Sequence, residues 1–315
     1  MRRTVLQALL LLALLAPIGC RGGKDHSKSK DGALFVFVSV APQGWLAREL
    51  GGDLVKVEVL VESGQSPATY DPSPRQVARL SEADLFFPIG VGFEKSLRRK
   101  IDEMDHRFTQ VDVPDTISYI EIGDGDGNGN GNGNGNGDGD GDGHDHGLVD
   151  PHIWLDPTLM SLLAANMADA FIKARPEHAE VFAARLKAVQ AKLGTLDGEV
   201  QALLAPYKGR RFLVYHGAYA YFARRYGLEQ VAISIASKSP GARRIAEVMQ
   251  QAESDSYDAV IVQSEFSDRE ASAIAAQLKV DVIEMNPLSA DYDENLLNMA
   301  RQLAKTLALK EERND

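Results

Sequence analysis

The chain has 315 residues, a length that suits two domains, and 44% of them are hydrophobic, enough to bury substantial cores. The formal net charge of -11 argues against nucleic acid as a partner, because an acidic surface repels phosphates and suits cations. The single cysteine, Cys20, excludes an internal disulfide and any zinc site built from several thiolates.

Residues 1–20 have the pattern of an export signal. Two arginines are followed by an apolar stretch over residues 5–15, which is too short to span a bilayer, since a span needs about 20 residues. The stretch ends in a segment, Pro17-Ile18-Gly19-Cys20, that resembles a bacterial lipobox, in which the cysteine is lipidated. We therefore expect a membrane anchor at Cys20 followed by a polar tether over residues 21–32, with a plain secretory signal as the alternative.

Residues 33–157 predict a first lobe made of repeated βα units. Residues 34–40 form an apolar run typical of a strand buried on both faces, whereas residues 55–61 alternate and suit a strand nearer an edge. Further strands are predicted over residues 83–89 and 107–113, and a helix over residues 76–81.

A low-complexity segment, residues 123–147, interrupts this lobe. Glycine alternates with Asp or Asn up to Gly143, and the segment ends in His144-Asp145-His146-Gly147. With no apolar residue it is predicted to be disordered. An EF-hand loop starting at Asp138 fails, because its twelfth position is Val149 rather than Glu. The segment is interpreted either as a linker without a binding role or as a weak binder of cations.

Residues 158–205 predict two connecting helices, and residues 206–315 predict a second lobe. The connecting helices cover residues 158–173 and 177–204, and the second one would form a spine about 40 Å long. The second lobe repeats the first scheme, with strands predicted over residues 211–215, 230–235, 258–263 and 280–285. The fold class is α/β: two lobes, each with a mostly parallel four-stranded sheet flanked by helices, joined by a long spine helix.

Candidate ligands follow the strands of this scheme. In open parallel sheets ligands bind beyond the carboxyl ends of the strands, and the loops there carry His152, His216, Glu265 and Asp291. Imidazole with carboxylate is a set that holds zinc or manganese. Taken singly, His152 could be a buried hydrogen-bonded residue, His216 a core residue, and Asp291 the cap of a helix starting near Glu294.

Four motifs, in order along the chain, together resemble the metal-binding lipoproteins of bacterial zinc and manganese ABC importers. The motifs are Ser66-Pro67-Ala68-Thr69-Tyr70-Asp71-Pro72, Asp150-Pro151-His152-Ile153-Trp154-Leu155-Asp156-Pro157, Tyr215-His216-Gly217-Ala218-Tyr219-Ala220-Tyr221-Phe222 and Asn286-Pro287-Leu288-Ser289-Ala290-Asp291-Tyr292. The similarity covers roughly residues 33 to 310. It implies that His152 from the first lobe and His216 and Asp291 from the second lobe bind the metal.

The resemblance also implies the cargo and exposes a departure from the family pattern. A histidine at position 216 is typical of zinc receptors, so Zn²⁺ is expected, with Mn²⁺ or another divalent cation as the alternative. The first motif has Ser66-Pro67-Ala68 where the family has Asp-Pro-His, and alanine cannot coordinate a metal. Water, Gln65, Glu265, His144 or His146 could fill that position. Alternatively, the site is remodelled for another cation, or metal binding has been lost.

The function implied is that of an exported receptor in the periplasm or at the cell surface. It would capture a divalent metal ion as a monomer and deliver it to the permease and ATPase of an ABC importer, with no catalytic residue. A site with two histidines, one aspartate and water would also resemble open catalytic zinc sites, so a metal-dependent hydrolase is the rival class. Against it, the chain has no His-Glu-x-x-His helix.

Overall fold

The computed structural model describes residues 32–122, 149–234, 241–255, 257, 259–263 and 268–314. The predictions for Cys20, for Glu265 and for the segment 123–147 with its histidines therefore lie outside the described residues. Within the described residues, none of the helices combines the length and the apolar character needed to cross a membrane.

The first lobe contains a four-stranded, wholly parallel sheet in the order β2-β1-β3-β4. Its strands are β1 Leu34–Val40, β2 Val55–Val61, β3 Leu85–Phe87 and β4 Thr109–Gln110. All seven residues of β1 are buried, as its continuous apolar sequence predicts, and the alternating β2 lies at the edge. Both predictions are confirmed.

The second lobe repeats this arrangement in the order β6-β5-β7-β8, again with parallel pairing throughout. Its strands are β5 Arg211–His216, β6 Glu229–Ser234, β7 Ala259–Val262 and β8 Asp281–Glu284. The α/β class with two four-stranded parallel sheets is therefore confirmed. In each sheet the strand that comes first in the chain lies inside, so the order reverses between the two inner strands.

Helices flank both sheets and connect them. Their bounds are α1 Ala41–Gly51, α2 Pro74–Ser81, α3 Glu94–Asp102, α4 Pro157–Ala174, α5 Ala179–Leu204, α6 Ala220–Tyr226, α7 Ala242–Asp255, α8 Asp268–Leu278 and α9 Tyr292–Asn314. Local sequence explains where α4 begins: Pro157 occupies the first turn, and the Asp156 carboxylate accepts the backbone N–H of Thr158 at 2.8 Å.

Several predicted boundaries were wrong. The third strand is only Leu85–Phe87, because Pro88 follows it without an N–H to donate and Gly90 then turns with a φ of +94°. The predicted helix from residue 177 opens with a separate 3-10 turn, Pro176–His178, before α5 begins. The helix expected near Glu294 begins two residues earlier, at Tyr292.

The 26-residue helix α5 is the spine, and it is attached to both lobes. Its Arg185 side chain donates to the carbonyl of Gly51 at the end of α1. Lys192 lies 2.7 Å from Asp293 of α9 and 3.6 Å from Glu49 of α1, so one ammonium group joins the two lobes. A continuous apolar core also runs from the first sheet across α4 and α5 to one face of the second sheet, which opposes wide separation of the lobes.

Candidate metal site between the lobes

His216 is the last residue of the inner strand β5, paired with Ser234 of β6, and not the first residue of the following loop as predicted. The strand places its side chain in a buried position at the carboxyl end of the sheet. Gly217 allows the chain to pass close to Ala232 as it leaves β5, since a Cβ at position 217 would lie 3.0 Å from the Cβ of Ala232. The second sheet thus presents an imidazole at its switch point.

The switch point of the first sheet is filled by a side chain of the protein. The side chain of Gln43 is buried there: its Oε1 accepts the backbone N–H groups of Ser39 and Val40, and its Nε2 donates to the carbonyl of Phe87. A ligand has no access to these backbone groups because Gln43 already satisfies them. The first lobe therefore contributes to a site between the lobes from another segment.

That segment contains Asp150 and His152. The nearly buried carboxylate of Asp150 accepts the backbone N–H of His152 at 2.9 Å and lies 2.6 Å from its ring Nδ1. A carboxylate oxygen accepts hydrogen bonds, so this contact favours a proton on Nδ1, and in the neutral ring the lone pair then lies on Nε2. Metal-binding histidines are oriented in this way by a second partner. Sequence reasoning assigned no role to Asp150, although an aspartate two residues before the histidine was the available signal.

The structure brings His152 and His216 together from the two lobes. Their ring centroids are 5.6 Å apart at an interplanar angle of 75°, and the ring of Trp154 packs 5.1 Å from that of His152. The side chain of His152 is 14% exposed. The two imidazoles therefore lie side by side between the lobes, largely shielded from solvent.

The electrostatic environment of His216 favours its neutral form. Burial, and to a smaller extent the nearby His152, lowers the pKa of His216 from 6.5 to about 3. A neutral imidazole retains a nitrogen lone pair, which is the form that coordinates a metal ion. The pair can therefore bind a metal cation, although burial disfavours the protonated, charged form of His216.

Asp291, the remaining predicted ligand among the described residues, is not part of this pair, and neither is Ala68, which stands where the family has a histidine. Asp291 is exposed at the residue before α9, where its carbonyl accepts the N–H of Asn295 at 3.0 Å. Ala68 is exposed in the loop that follows β2. No group of three or more His, Cys, Asp or Glu side chains among the described residues is arranged to hold a metal ion. The histidine pair therefore fits a cation as an incomplete set that still needs its remaining ligands.

Buried aromatic side chains connect the segments that carry the candidate ligands. The indole N–H of Trp154 donates to the carbonyl of Pro287 at 2.7 Å, and the hydroxyl of Tyr292 donates to the carbonyl of Trp154 at 2.8 Å. Within the second lobe the hydroxyl of Tyr219 donates to the carbonyl of Met285 at 2.8 Å. The loop before Asp291 is thereby attached to the segment that contains His152.

Comparison with known proteins identifies the class of protein to which this fold belongs. The family model of the periplasmic zinc-uptake complex component A, ZnuA, matches residues 36–309, and the chain belongs to this family of metal-binding solute receptors. Since the family consists of transport receptors, the hydrolase alternative is set aside. The recognition made from the four motifs is confirmed.

Individual relatives agree with this membership. The high-affinity zinc uptake system protein ZnuA of Paracoccus denitrificans is 35% identical over 227 residues, which cover 67% of this chain and 70% of that protein. The zinc-binding lipoprotein AdcA of Streptococcus pneumoniae is 27% identical over 292 residues, 91% of this chain but 56% of that protein. A crystal structure of ZnuA superposes with a TM-score of 0.76 at 32% identity, covering 87% of this chain and 99% of that one.

Proposed function

We propose that this protein captures Zn²⁺ between its two lobes and delivers it to the permease and ATPase of an ABC importer. The observation that carries the proposal is the proximity of His152 and His216, 5.6 Å apart between ring centroids. Two neighbouring imidazoles suit Zn²⁺ better than Mn²⁺, which prefers carboxylate and water oxygens.

Asp291 is the proposed third ligand. Asp291 is exposed in this structure, so metal capture would draw either the start of α9 or the Asp291 side chain alone toward the histidines. Because Ala68 cannot bind a metal, the fourth ligand would be water or another side chain, such as Gln65 or Glu265. Closure would be local, because the shared core and the Lys192 bridge between α1 and α9 restrain the lobes.

Calorimetric titration of the metal-free mature protein with Zn²⁺ and Mn²⁺ tests capture. One site with a preference for Zn²⁺ is expected. His216→Gln should abolish this site, whereas the matched variant His178→Gln, in the 3-10 turn before α5, should leave it unchanged. Failure of the unmodified protein to bind Zn²⁺ more tightly than about 1 mM, equivalent to about 4 kcal/mol, would contradict the proposal.

The proposed location is the periplasm or the cell surface, with lipidated Cys20 as the anchor. Membership in a periplasmic family and similarity to a zinc-binding lipoprotein support this part of the proposal. Cys20→Ser should move the protein from the membrane fraction to the soluble fraction. An unchanged distribution would contradict lipid anchoring, while zinc binding by the soluble domain would be unaffected.

A further inference from the structure

Tyr221 connects the two lobes beside the candidate metal site. It lies on α6 of the second lobe, the helix that follows His216, and its side chain is fully buried. Its hydroxyl accepts the backbone N–H of Ile120 at 2.9 Å and donates to the backbone carbonyl of Asp150 at 2.9 Å. Both backbone partners belong to the first lobe.

The hydroxyl completes a short pairing of two chain segments. The N–H of Asp150 donates to the carbonyl of Ile120 at 2.8 Å, and Glu121 and Val149 form an isolated antiparallel bridge. The Tyr221 hydroxyl then bridges the two other backbone groups of this pair, the N–H of Ile120 and the carbonyl of Asp150. Backbone polar groups shielded from water need such partners, so the hydroxyl helps to fix how the segment carrying Asp150 lies against the segment carrying Ile120.

The same aspartate uses its side chain to hold His152. Since the carboxylate of Asp150 bonds both the backbone and the ring of His152, a displacement of Asp150 would move that imidazole. A continuous set of hydrogen bonds therefore runs from α6, next to His216, through Tyr221 and Asp150 to the ring of His152. This path joins the two segments that carry the imidazoles.

We infer that Tyr221 is a positioning residue for metal capture: its hydroxyl sets the place of the Asp150–His152 pair relative to His216. The inference rests on the proposed function. Ring packing by itself does not explain the arrangement, because a phenylalanine would pack equally well and would keep the contact of the Arg224 guanidinium, 5.0 Å from the ring centroid. The hydroxyl makes both hydrogen bonds to the first lobe.

The chain offers a matched control on the same helix. Tyr226 is also buried, and its hydroxyl donates to the Asp197 carboxylate of α5 at 3.2 Å, not to the segment that carries His152. Tyr226→Phe and Tyr221→Phe each remove one buried hydroxyl from α6. A general loosening of the helix would affect both variants, whereas a positioning role separates them.

The experiment compares the full mature chain with these two variants. Zn²⁺ affinity is measured by competition with a chelator, and the ligand geometry by the d–d absorption of the Co²⁺ form. Tyr221→Phe should weaken Zn²⁺ binding about tenfold, the lower end of the range for outer partners of metal ligands, and alter the Co²⁺ spectrum. Tyr226→Phe should match the unmodified protein in both. Equal behaviour of the two variants would overturn the inference while leaving zinc capture intact.

A second measurement needs no substitution. In the unmodified protein, hydrogen exchange at the amides of Ile120 and Asp150 should slow when Zn²⁺ is added, because metal bound by His152 would hold the Tyr221 connection closed. Unchanged exchange of both amides in a protein that binds Zn²⁺ would overturn the inference. A protein that does not bind Zn²⁺ at all would overturn the proposed function together with it.

Discussion

Asp150 and His152 are joined by two hydrogen bonds to one carboxylate oxygen, from the backbone N–H at 2.9 Å and with ring Nδ1 at 2.6 Å. The double contact fixes both the backbone turn and the rotation of the imidazole. It also determines that Nε2 is the nitrogen available for a cation. Asp150 should therefore affect metal affinity without binding the metal.

Replacing this carboxylate tests its role. Asp150→Asn removes the charge-assisted bond and permits the other tautomer of His152, so Zn²⁺ affinity should fall about 10- to 100-fold, as for other outer partners of metal ligands. Chelator competition measures the change. Asp53→Asn, an exposed aspartate paired with Arg185, is the control and should leave affinity unchanged. Full affinity in Asp150→Asn would show that His152 does not need this partner.

The buried neutral state of His216 predicts a pH-dependent stability of the metal-free protein. The pKa of His216 is lowered from 6.5 to about 3 on folding, so between these values the unfolded chain binds the extra proton and stability decreases as pH falls. From pH 7 to pH 5 this one group should cost about 2 kcal/mol of unfolding free energy.

Urea unfolding of the metal-free protein at both pH values measures that loss. The His216→Gln variant lacks the titrating group, so its stability should change less by about the same 2 kcal/mol. His178→Gln, which removes a half-buried histidine elsewhere, should follow the unmodified protein. Parallel pH profiles for His216→Gln and the unmodified protein would mean that His216 does not remain neutral on folding.

Ala68 provides a test of the incomplete ligand set. If the loop after β2 reaches the histidine pair when metal is present, Ala68→His should add a fourth nitrogen ligand and tighten Zn²⁺ binding by tenfold or more, about 1.4 kcal/mol for each factor of ten. Thr69→His places the same side chain at the adjacent exposed position and should have little effect. Equal affinities for both variants would place the fourth ligand elsewhere.

The Tyr292 hydroxyl predicts a measurable contribution to folding stability. It donates to the carbonyl of Trp154 at 2.8 Å inside the protein, so Tyr292→Phe leaves a buried carbonyl without this bond and should cost about 1–3 kcal/mol. Denaturant unfolding measures the loss. Tyr70→Phe, at a half-buried position beside Gln76, should change stability by less than about 0.5 kcal/mol. A similar small change in both variants would deny Tyr292 this role.

Strands were predicted best where the whole strand lies in one environment, either buried on both faces or at an edge. The apolar residues of β1 predicted a strand buried on both faces, and the alternation in β2 predicted an edge, because burial imposes these patterns directly. The ends were predicted less well. β4 shrinks to Thr109–Gln110 because strand length depends on how far the partner strand β3 extends, which its own residues do not encode.

The residue types of the candidate site could be predicted, but their arrangement could not. His152, His216 and Asp291 were selected from motifs and from the strands they follow. The structure places the two histidines in ring contact and leaves Asp291 exposed at the start of α9. For Asp150 the only local signal was its place two residues before His152. The role of Tyr221 depends on hydrogen bonds to segments that are distant in the sequence, which no local pattern indicates.

Sequence patterns were sufficient to assign the α/β class, the two repeated lobes, the spine helix and the family, because periodicity, caps and motifs are written in neighbouring residues. Three features became visible only in the folded protein: His152 and His216 meet, Gln43 fills the equivalent point of the first sheet, and Asp150 selects the nitrogen of His152 that stays available. These outcomes depend on how two independently patterned sheets pack against one spine, and packing of distant segments is set by the whole core.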